Sequence, residues 1–490
     1  MHFAGTTHPA HLRAEAVLGL IGLFACGFFF QGGGWNQNAH FATTVSLVEH
    51  GTLIVDRYAA STGDLARSPH GLVSGKPPLT SYLATPAYLL ARGLTAAVEN
   101  RGDRTILRAY LTTVMTSGIA FAALLVVMFR LLRRRLSASD AAMVTLGFGL
   151  GSPIWPNATM LSQHIFVCLV VLGSYALLER SRVSRNRSSF KRLMGAGVLA
   201  GLAASFEYWT PVVLLPLGIY VLFQTRDAVR LLGFGLGVGI ALLIPASHNF
   251  IVFGHPLSVG YSHLALSSFA EVHQAGFFGF DGFRWSRLYE LTFGGIRGAF
   301  VLSPFLVASI AGWTVLIRNR LTRPEGLATA GVGVGVLLLF SSYVYWHAGS
   351  SLGSRYVQLF VVFAAVPTAA VFPGNRRWII PLMLLGLAFM TMGTAVCAIP
   401  PAPGPRPYEP VLVWLWRFFS EGRLAHWQQA VLLEKHIGDG SPDLPFAFNL
   451  GQLAGLEGVF SLIPFLLGLS VLLFWLRRET TRPILDPGPG

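Results

Sequence analysis

Charged residues are scarce in this sequence. Of its 490 residues, 12% are charged and 53% are hydrophobic, and the mean hydropathy is +0.57. Because an ordinary soluble domain is about 25% charged, a soluble protein is excluded and a multi-pass membrane protein is predicted. Cysteine is also scarce: Cys26, Cys168 and Cys397 each lie inside an apolar run, which excludes a disulfide framework and a paired-cysteine metal site.

Acidic residues are fewer than basic ones: the sequence has 36 Lys and Arg and 22 Asp and Glu, which gives a formal net charge of +14. The basic residues form short clusters at the ends of apolar segments, namely 130–135, 180–192, 318–323, 375–377 and 477–482. This pattern excludes a nucleic-acid partner, because no continuous basic face is built. Since cytoplasmic loops of membrane proteins are enriched in Lys and Arg, we expect these clusters and both termini on the cytoplasmic side.

Apolar stretches of membrane-spanning length number about twelve, the first at 14–30 and the last at 458–476. The fold class predicted is therefore an all-α integral membrane bundle. The first stretch is expected to be a helix rather than a signal peptide, because the following CGFFFQGGG has no small-x-small cleavage site. The long loops, at 31–105, 253–296 and 399–456, fall on the side opposite the basic clusters.

Long ordered loops on a membrane scaffold carry function more often than they merely connect helices. The two halves of the chain share no loop pattern, which disfavours the internal repeats of many transporters. We expect three parts: a transmembrane domain over 1–398 that includes the loop 31–105, an extracytoplasmic loop over 399–456, and a last helix with a cytoplasmic tail over 457–490.

The first long loop contains a pattern typical of an amphipathic helix. In NQNAHFATTVSLVEHG (36–51), Phe41, Val45 and Val48 share one face, and Gly51 is placed to end the helix. Such a helix is expected to lie on the membrane surface rather than to cross it.

A lysine precedes the next apolar run of this loop. In SGKPPLTSYL (74–83), two prolines mark the start of a second surface helix, and Lys76 comes directly before them. Free N–H groups at a helix start and an ammonium act on the same anion, so this arrangement favours a phosphate site. The alternative for Lys76 is a side chain that extends to the lipid headgroups.

The order of these features resembles the C-type (GT-C) glycosyltransferases. The closest resemblance is to the protein mannosyltransferase and aminoarabinose transferase branch, with rhizobial lipopolysaccharide galacturonosyltransferases as relatives. Three further stretches resemble phrases common in bacterial members: HNFIVFGHPLSVGY (248–261), GGIRGAFVLSPFL (294–306) and YWHAGSSLGSRYVQLF (345–360). The resemblance extends over residues 14–372.

This resemblance implies a GT-C-like bundle with amphipathic helices in the first extracytoplasmic loop. It also implies a hexosyl- or pentosyltransferase of the bacterial inner membrane, with its active site on the extracytoplasmic side. The donor would be a sugar on a polyprenyl phosphate carrier, and the acceptor a lipid, a glycan or a protein. Membrane lipids are the remaining expected partners.

One departure from the family pattern concerns the base. Members carry an Asp-Glu pair at the start of the first amphipathic helix, and its Asp is taken to be the general base. Counting back from Gly51, this pair falls on Asn36 and Gln37, and an amide cannot accept a proton. The resemblance therefore leaves Asp64 or Asp56 as the catalytic carboxylate, with Asn36 and Gln37 expected to bind the sugar.

The leaving phosphate calls for cations. We expect Lys76, Arg355 and the adjacent Tyr356 to bind the donor phosphate. Arg355 lies at the mouth of an apolar segment, where a charge is costly unless it faces a site or a partner. Anchoring of a helix end is the alternative for Arg355.

Three further ionisable residues are expected to contact substrate: His40, His164 and Glu207. A structural role for His164 and Glu207, and an interfacial position for His40, stay open beside this. The sequence shows no metal-binding motif, so no metal ligand is assigned; no cofactor is assigned either, and dependence on a divalent metal is left open.

Two other function classes remain. A lipid or solute transporter would need a similar helix number, but it is expected to place ionisable residues near the membrane centre rather than at the outer mouths. A catalytically inactive relative that binds a carrier lipid is favoured by the amide at Asn36.

Overall fold

A computed structural model describes residues 9–181, 188–401, 409–425 and 442–482. Two predicted features, the basic stretch 180–192 and the loop 399–456, lie partly outside the described residues. The ends of the chain, whose orientation was predicted, lie largely outside them as well.

Helices make up most of the described chain. In chain order they are α1 (Pro9–Gly27), α2 (Trp35–His50), α3 (Leu79–Leu94), α4 (Arg101–Leu132), α5 (Ala138–Leu150), α6 (Ile154–Ala158), α7 (Gln163–Ser181), α8 (Ser188–Phe206), α9 (Thr210–Gln224), α10 (Ala228–Phe253), α11 (Ser267–Gln274), α12 (Trp285–Thr292), α13 (Ala299–Leu302), α14 (Pro304–Arg318), α15 (Arg323–Ser341), α16 (Arg355–Val396), α17 (Val411–Ser420), α18 (Leu450–Leu453) and α19 (Gly458–Thr481). The strands are β1 (Phe29–Phe30), β2 (Leu65–Ser68), β3 (Gly71–Ser74) and β4 (Phe448–Asn449).

Within the described residues, six helices are long and apolar enough to cross a membrane: α4, α7, α10, α15, α16 and α19. Only 22% of the most apolar part of α10 is buried. Its exposed Leu236, Ile240 and Leu243 recur at helical spacing, so this face meets hydrocarbon rather than protein. The predicted all-α integral membrane class is therefore confirmed, while the predicted number of about twelve spans stays a prediction.

The longest helix, α16, has 42 residues. A straight helix of that length would measure about 63 Å, roughly twice the hydrocarbon thickness of a bilayer. The helix breaks at Asn375, whose φ of −127° and ψ of 15° are not helical, two positions after Pro373. The two halves coincide with the separate apolar segments that the sequence shows at 356–372 and 378–398.

Buried acids hold the arginines at one end of the bundle. Just beyond α4, Arg135 contacts Glu179 of α7 at 2.6 Å and Glu325 of α15 at 2.7 Å. On α4 itself, Arg130 pairs with Glu15 of α1 at 2.6 Å. Because each acid is largely buried, these pairs fix the relative height of the helix ends.

The predicted helix over 36–51 is present as α2. Gly51 ends it in the left-handed conformation, with φ of 65°, and donates its N–H to Leu47 O. Phe41 packs edge-on against Tyr88 of α3 at 5.7 Å. The polar side of α2 is buried as well, notably at His40, so this helix presents polar groups to the protein interior.

Two short antiparallel pairs position the loops. Strands β2 and β3 form a hairpin in the middle of the loop 31–105, directly before α3. Strands β1 and β4 join the segment after α1 to the segment before α19. Phe29 of β1 packs against Trp155 and Phe465, with ring centroids 5.8 Å and 5.1 Å away, and these rings form part of the main apolar core.

Candidate functional site

The β2–β3 hairpin brings Asp64 and Lys76 together. Leu65 pairs with Ser74 in the ladder, and the N–H of Gly75 donates to Asp64 O at 2.9 Å. The residues that flank the hairpin therefore meet at its base, with Lys76 Nζ 3.0 Å from Asp64 Oδ1. Both side chains are largely buried, at 12% and 9% exposure, which disfavours the extension of Lys76 to lipid headgroups.

An aromatic ring lies below the ammonium. Lys76 Nζ is 5.5 Å from the ring centroid of Tyr261, within range of a cation–π interaction. Gly260, which precedes Tyr261, packs directly on Gly75, where any Cβ would lie 2.5 Å from the Gly75 carbonyl oxygen. This glycine contact lets the loop after α10 reach the base of the hairpin.

A second carboxylate enters the same region from the end of α8. Glu207 is 2% exposed, and its Oε1 accepts a hydrogen bond from Gln163 Nε2 at 2.6 Å. His164 Nε2 lies 3.5 Å from the same oxygen without hydrogen-bond geometry. Among the described residues, Glu207 Oε2 has no hydrogen-bond partner. Burial raises the pKa of Glu207, and the charge of Lys76 opposes this shift.

The start of α16 contributes a second cation. Arg355 is half-buried, and its Nε has no hydrogen-bond partner among the described residues. Its charge opposes the rise in the pKa of Glu207, as the charge of Lys76 does, so both cations act on this carboxylate. The ring of the adjacent Tyr356 stacks on Phe340 at 4.4 Å. The rings of His164 and Tyr356 are nearly perpendicular, with centroids 5.9 Å apart, and this contact links α7 to α16.

From α2, His40 points into the same interior region. The side chain is fully buried within the protein, and Nδ1 lies 3.2 Å from Ser81 Oγ of α3. Nε2 has no partner among the described residues. Burial, and then the charge of Lys76, lower the pKa of His40 to about 3, so the ring is neutral at pH 7.

The two amides at the start of α2 are also buried. Gln37 Oε1 accepts the N–H of Gly34 at 3.1 Å, which caps the helix. In the part of the chain that the structure describes, Gln37 Nε2 and Asn36 Oδ1 have no hydrogen-bond partner. Buried polar atoms without partners are rare in proteins, so these groups indicate a place for a ligand or water.

Asp56 has a different environment from Asp64. It is exposed, and its Oδ1 accepts the N–H of Leu72 at 2.8 Å. Asp56 therefore holds the outer part of the hairpin, whereas Asp64 contacts the cation. We use the name site chamber for the group of residues that direct contacts or charge effects connect here: His40, Asp64, Lys76, Gln163, His164, Glu207, Tyr261, Arg355 and Tyr356.

Sequence reasoning missed Gln163 and Tyr261. Gln163 is adjacent to His164, which was singled out, and Tyr261 ends one of the stretches that carry the family resemblance. Their contacts with Glu207 and Lys76 join distant parts of the chain and leave no periodic signal. Over the described ranges, no group of three or more His, Cys, Asp or Glu is placed to hold a metal ion.

No protein-family model and no curated protein matches the chain. Solved structures do. ArnT from Cupriavidus metallidurans, bound to undecaprenyl phosphate, aligns with a TM-score of 0.53 and 16% identity over 96% of this chain and 77% of ArnT. The apo state of the same ArnT gives a TM-score of 0.50 and 15% identity over 96% and 76%.

ArnT is an aminoarabinose transferase of the GT-C class. The chain is therefore an integral membrane protein with a GT-C-like fold, and the resemblance seen in the sequence is confirmed at the level of the fold.

Proposed function

We propose that this protein is a membrane glycosyltransferase that moves a sugar from a polyprenyl phosphate carrier to an extracytoplasmic acceptor. The observation that carries this is the grouping of two cations, Lys76 and Arg355, with two buried carboxylates, Asp64 and Glu207. The ArnT neighbour, which was crystallised with undecaprenyl phosphate, has the same fold and supports this choice of carrier.

The two cations bind the carrier phosphate. When the bond between the anomeric carbon and the phosphate oxygen breaks, the phosphate gains negative charge. Lys76 and Arg355 stabilise that charge, because an ammonium and a guanidinium act more strongly where they are partly buried than in bulk water. Tyr356, next to Arg355, lines the same position, where its ring is fixed by stacking on Phe340.

The transferred sugar lies against the polar side of α2. Asn36 Oδ1, Gln37 Nε2 and His40 Nε2 are buried polar atoms without partners among the described residues. One acceptor and one donor from the amides, and a neutral imidazole, suit the hydroxyl groups of a sugar. His164 and Glu207 approach the same chamber from α7 and α8, beside the acceptor.

The helices cross the membrane about twelve times. The crossing helices are α1, α4, α5, α7, α8, α9, α10, α14, α15, the two halves of α16, and α19. Arginines at the end of α4 pair with buried acids at the end of α7 and near the starts of α1 and α15, which supports this alternation. The arginine end faces the cytoplasm, and the chamber opens on the outer side of the bacterial inner membrane.

A lipid or solute transporter is the competing function. The chamber's ionisable side chains lie at helix ends, with Glu207 just after α8 and Arg355 at the start of α16. This position suits a reaction at the membrane surface better than passage through the bundle. A catalytically inactive carrier-binding relative is the second alternative.

The test is transfer by the purified protein in liposomes. Radiolabelled polyprenyl phosphate sugars are offered with lipid, glycan and protein fractions of a bacterial envelope. We expect transfer by the wild type, loss of at least tenfold in Lys76→Ala, and wild-type transfer in the control Lys191→Ala, an exposed lysine on α8. Carrier binding without transfer by the wild type would identify an inactive relative, and flux of labelled solute or lipid would identify a transporter.

A further inference from the structure

We propose that Glu207 accepts the proton of the acceptor hydroxyl, that Gln163 positions its carboxylate, and that Asp64 positions Lys76. This inference rests on the proposed function. It assigns to the end of α8 a catalytic task that the sequence assigned to the first extracytoplasmic loop.

The first step of the argument is the free oxygen of Glu207. Oε1 is held by Gln163 at 2.6 Å, with His164 on the same side at 3.5 Å. Oε2 is buried and has no partner among the described residues. A general base needs a fixed carboxylate with an oxygen free to receive a proton, and Glu207 has both.

The second step is that Asp64 is already engaged. Its Oδ1 contacts Lys76 Nζ at 3.0 Å, and its backbone carbonyl closes the hairpin through Gly75. Asp64 thus fixes the height and direction of the ammonium above the Tyr261 ring. Loss of this carboxylate would displace the cation that binds the phosphate.

The environment of Glu207 also suits a base. Burial raises the pKa of Glu207, and Lys76, the Gln163 hydrogen bond and Arg355 oppose the shift. A carboxylate buried in this way has a higher proton affinity than an exposed one, and the nearby cations favour its ionised form.

The transfer step then balances. The acceptor O–H bond breaks and its proton goes to Glu207 Oε2, while the acceptor oxygen forms a bond to the anomeric carbon. The bond from that carbon to the carrier phosphate breaks, and its electron pair stays on the phosphate oxygen, which Lys76 and Arg355 stabilise. The proton leaves Glu207 to water after the product departs.

Matched variants separate the two carboxylates. Glu207→Gln keeps the size of the side chain and an oxygen for Gln163, but it cannot accept a proton. We expect kcat to fall by about 100-fold or more, with unchanged affinity for undecaprenyl phosphate. Asp64→Asn is expected to raise KM for the donor and weaken binding of undecaprenyl phosphate, with the smaller effect on kcat. The control is Glu457→Gln, the same change at an exposed residue before α19.

Gln163→Met tests the positioning role, because it should lower kcat without changing KM. Wild-type kcat in Glu207→Gln would overturn the inference while leaving the proposed function intact. A loss of kcat in Asp64→Asn together with full carrier binding would also overturn the inference and leave the proposed function intact. Failure of the wild type to transfer from any donor would instead overturn the proposed function and this inference together. Unchanged carrier binding by Glu207→Gln shows that the variant is folded.

Discussion

Acidification should destabilise this protein through His40. In the folded protein the pKa of His40 is lowered from its ordinary value of 6.5 to about 3, chiefly because the ring is fully buried. Between these two values the unfolded chain binds a proton that the folded protein does not bind. The contribution of neutral His40 to the free energy of unfolding is therefore fully present above the pKa of the unfolded chain, and it is lost as the pH falls below that value.

The size of the effect follows from the same two values. At pH 5 the solution is 1.5 units below the ordinary pKa of 6.5. At 1.36 kcal/mol per unit, His40 should reduce the free energy of unfolding by about 2 kcal/mol between pH 7 and pH 5.

The assay compares unfolding of three proteins in detergent at both pH values. In His40→Gln, the loss of stability on acidification should be smaller than in the wild type by about 2 kcal/mol. His50→Gln is the control, because His50 is exposed at the end of the same helix. An equal loss in the wild type and His40→Gln would refute the assignment of a buried, neutral His40. Subtraction against the wild type removes the contribution of other histidines.

Two further predictions concern packing and the buried ion pairs. A Cβ at Gly237 of α10 would overlap the Met194 carbonyl of α8, whereas one at Gly239 meets nothing within 4 Å. Gly237→Ala should therefore lower the unfolding free energy by about 1–3 kcal/mol, and Gly239→Ala should not; equal unfolding temperatures would contradict this. Glu179→Gln removes the carboxylate that Arg134 and Arg135 share, so it should lower the free energy of unfolding by about 3 kcal/mol in the same assay. The control Glu421→Gln, at an exposed ion pair, should leave the free energy of unfolding unchanged.

The membrane class could be predicted because hydropathy is summed over long segments, and each apolar run contributes to the same conclusion. Individual site residues could be predicted from the sequence for a different reason. Lys76 stands directly before a helix start, and Arg355 lies at the mouth of an apolar segment, so each charge is conspicuous in its local sequence.

Contacts between these residues could not be predicted in the same way. The ion pair of Asp64 with Lys76 depends on the register of a hairpin with strands of four residues, too short for a periodic signal. Asp56 and Asp64 lie in the same loop without a periodic pattern around them, so the sequence did not separate the one that binds Leu72 from the one that binds the cation. The environment of Glu207 depends on packing of α7 against α8.

The most direct test of the central claim is a structure of the protein with undecaprenyl phosphate bound. We expect the phosphate group in the site chamber, with oxygens about 3 Å from Lys76 Nζ and from the Arg355 guanidinium. A phosphate bound elsewhere, with Lys76 and Arg355 making no contact to it, would contradict the account.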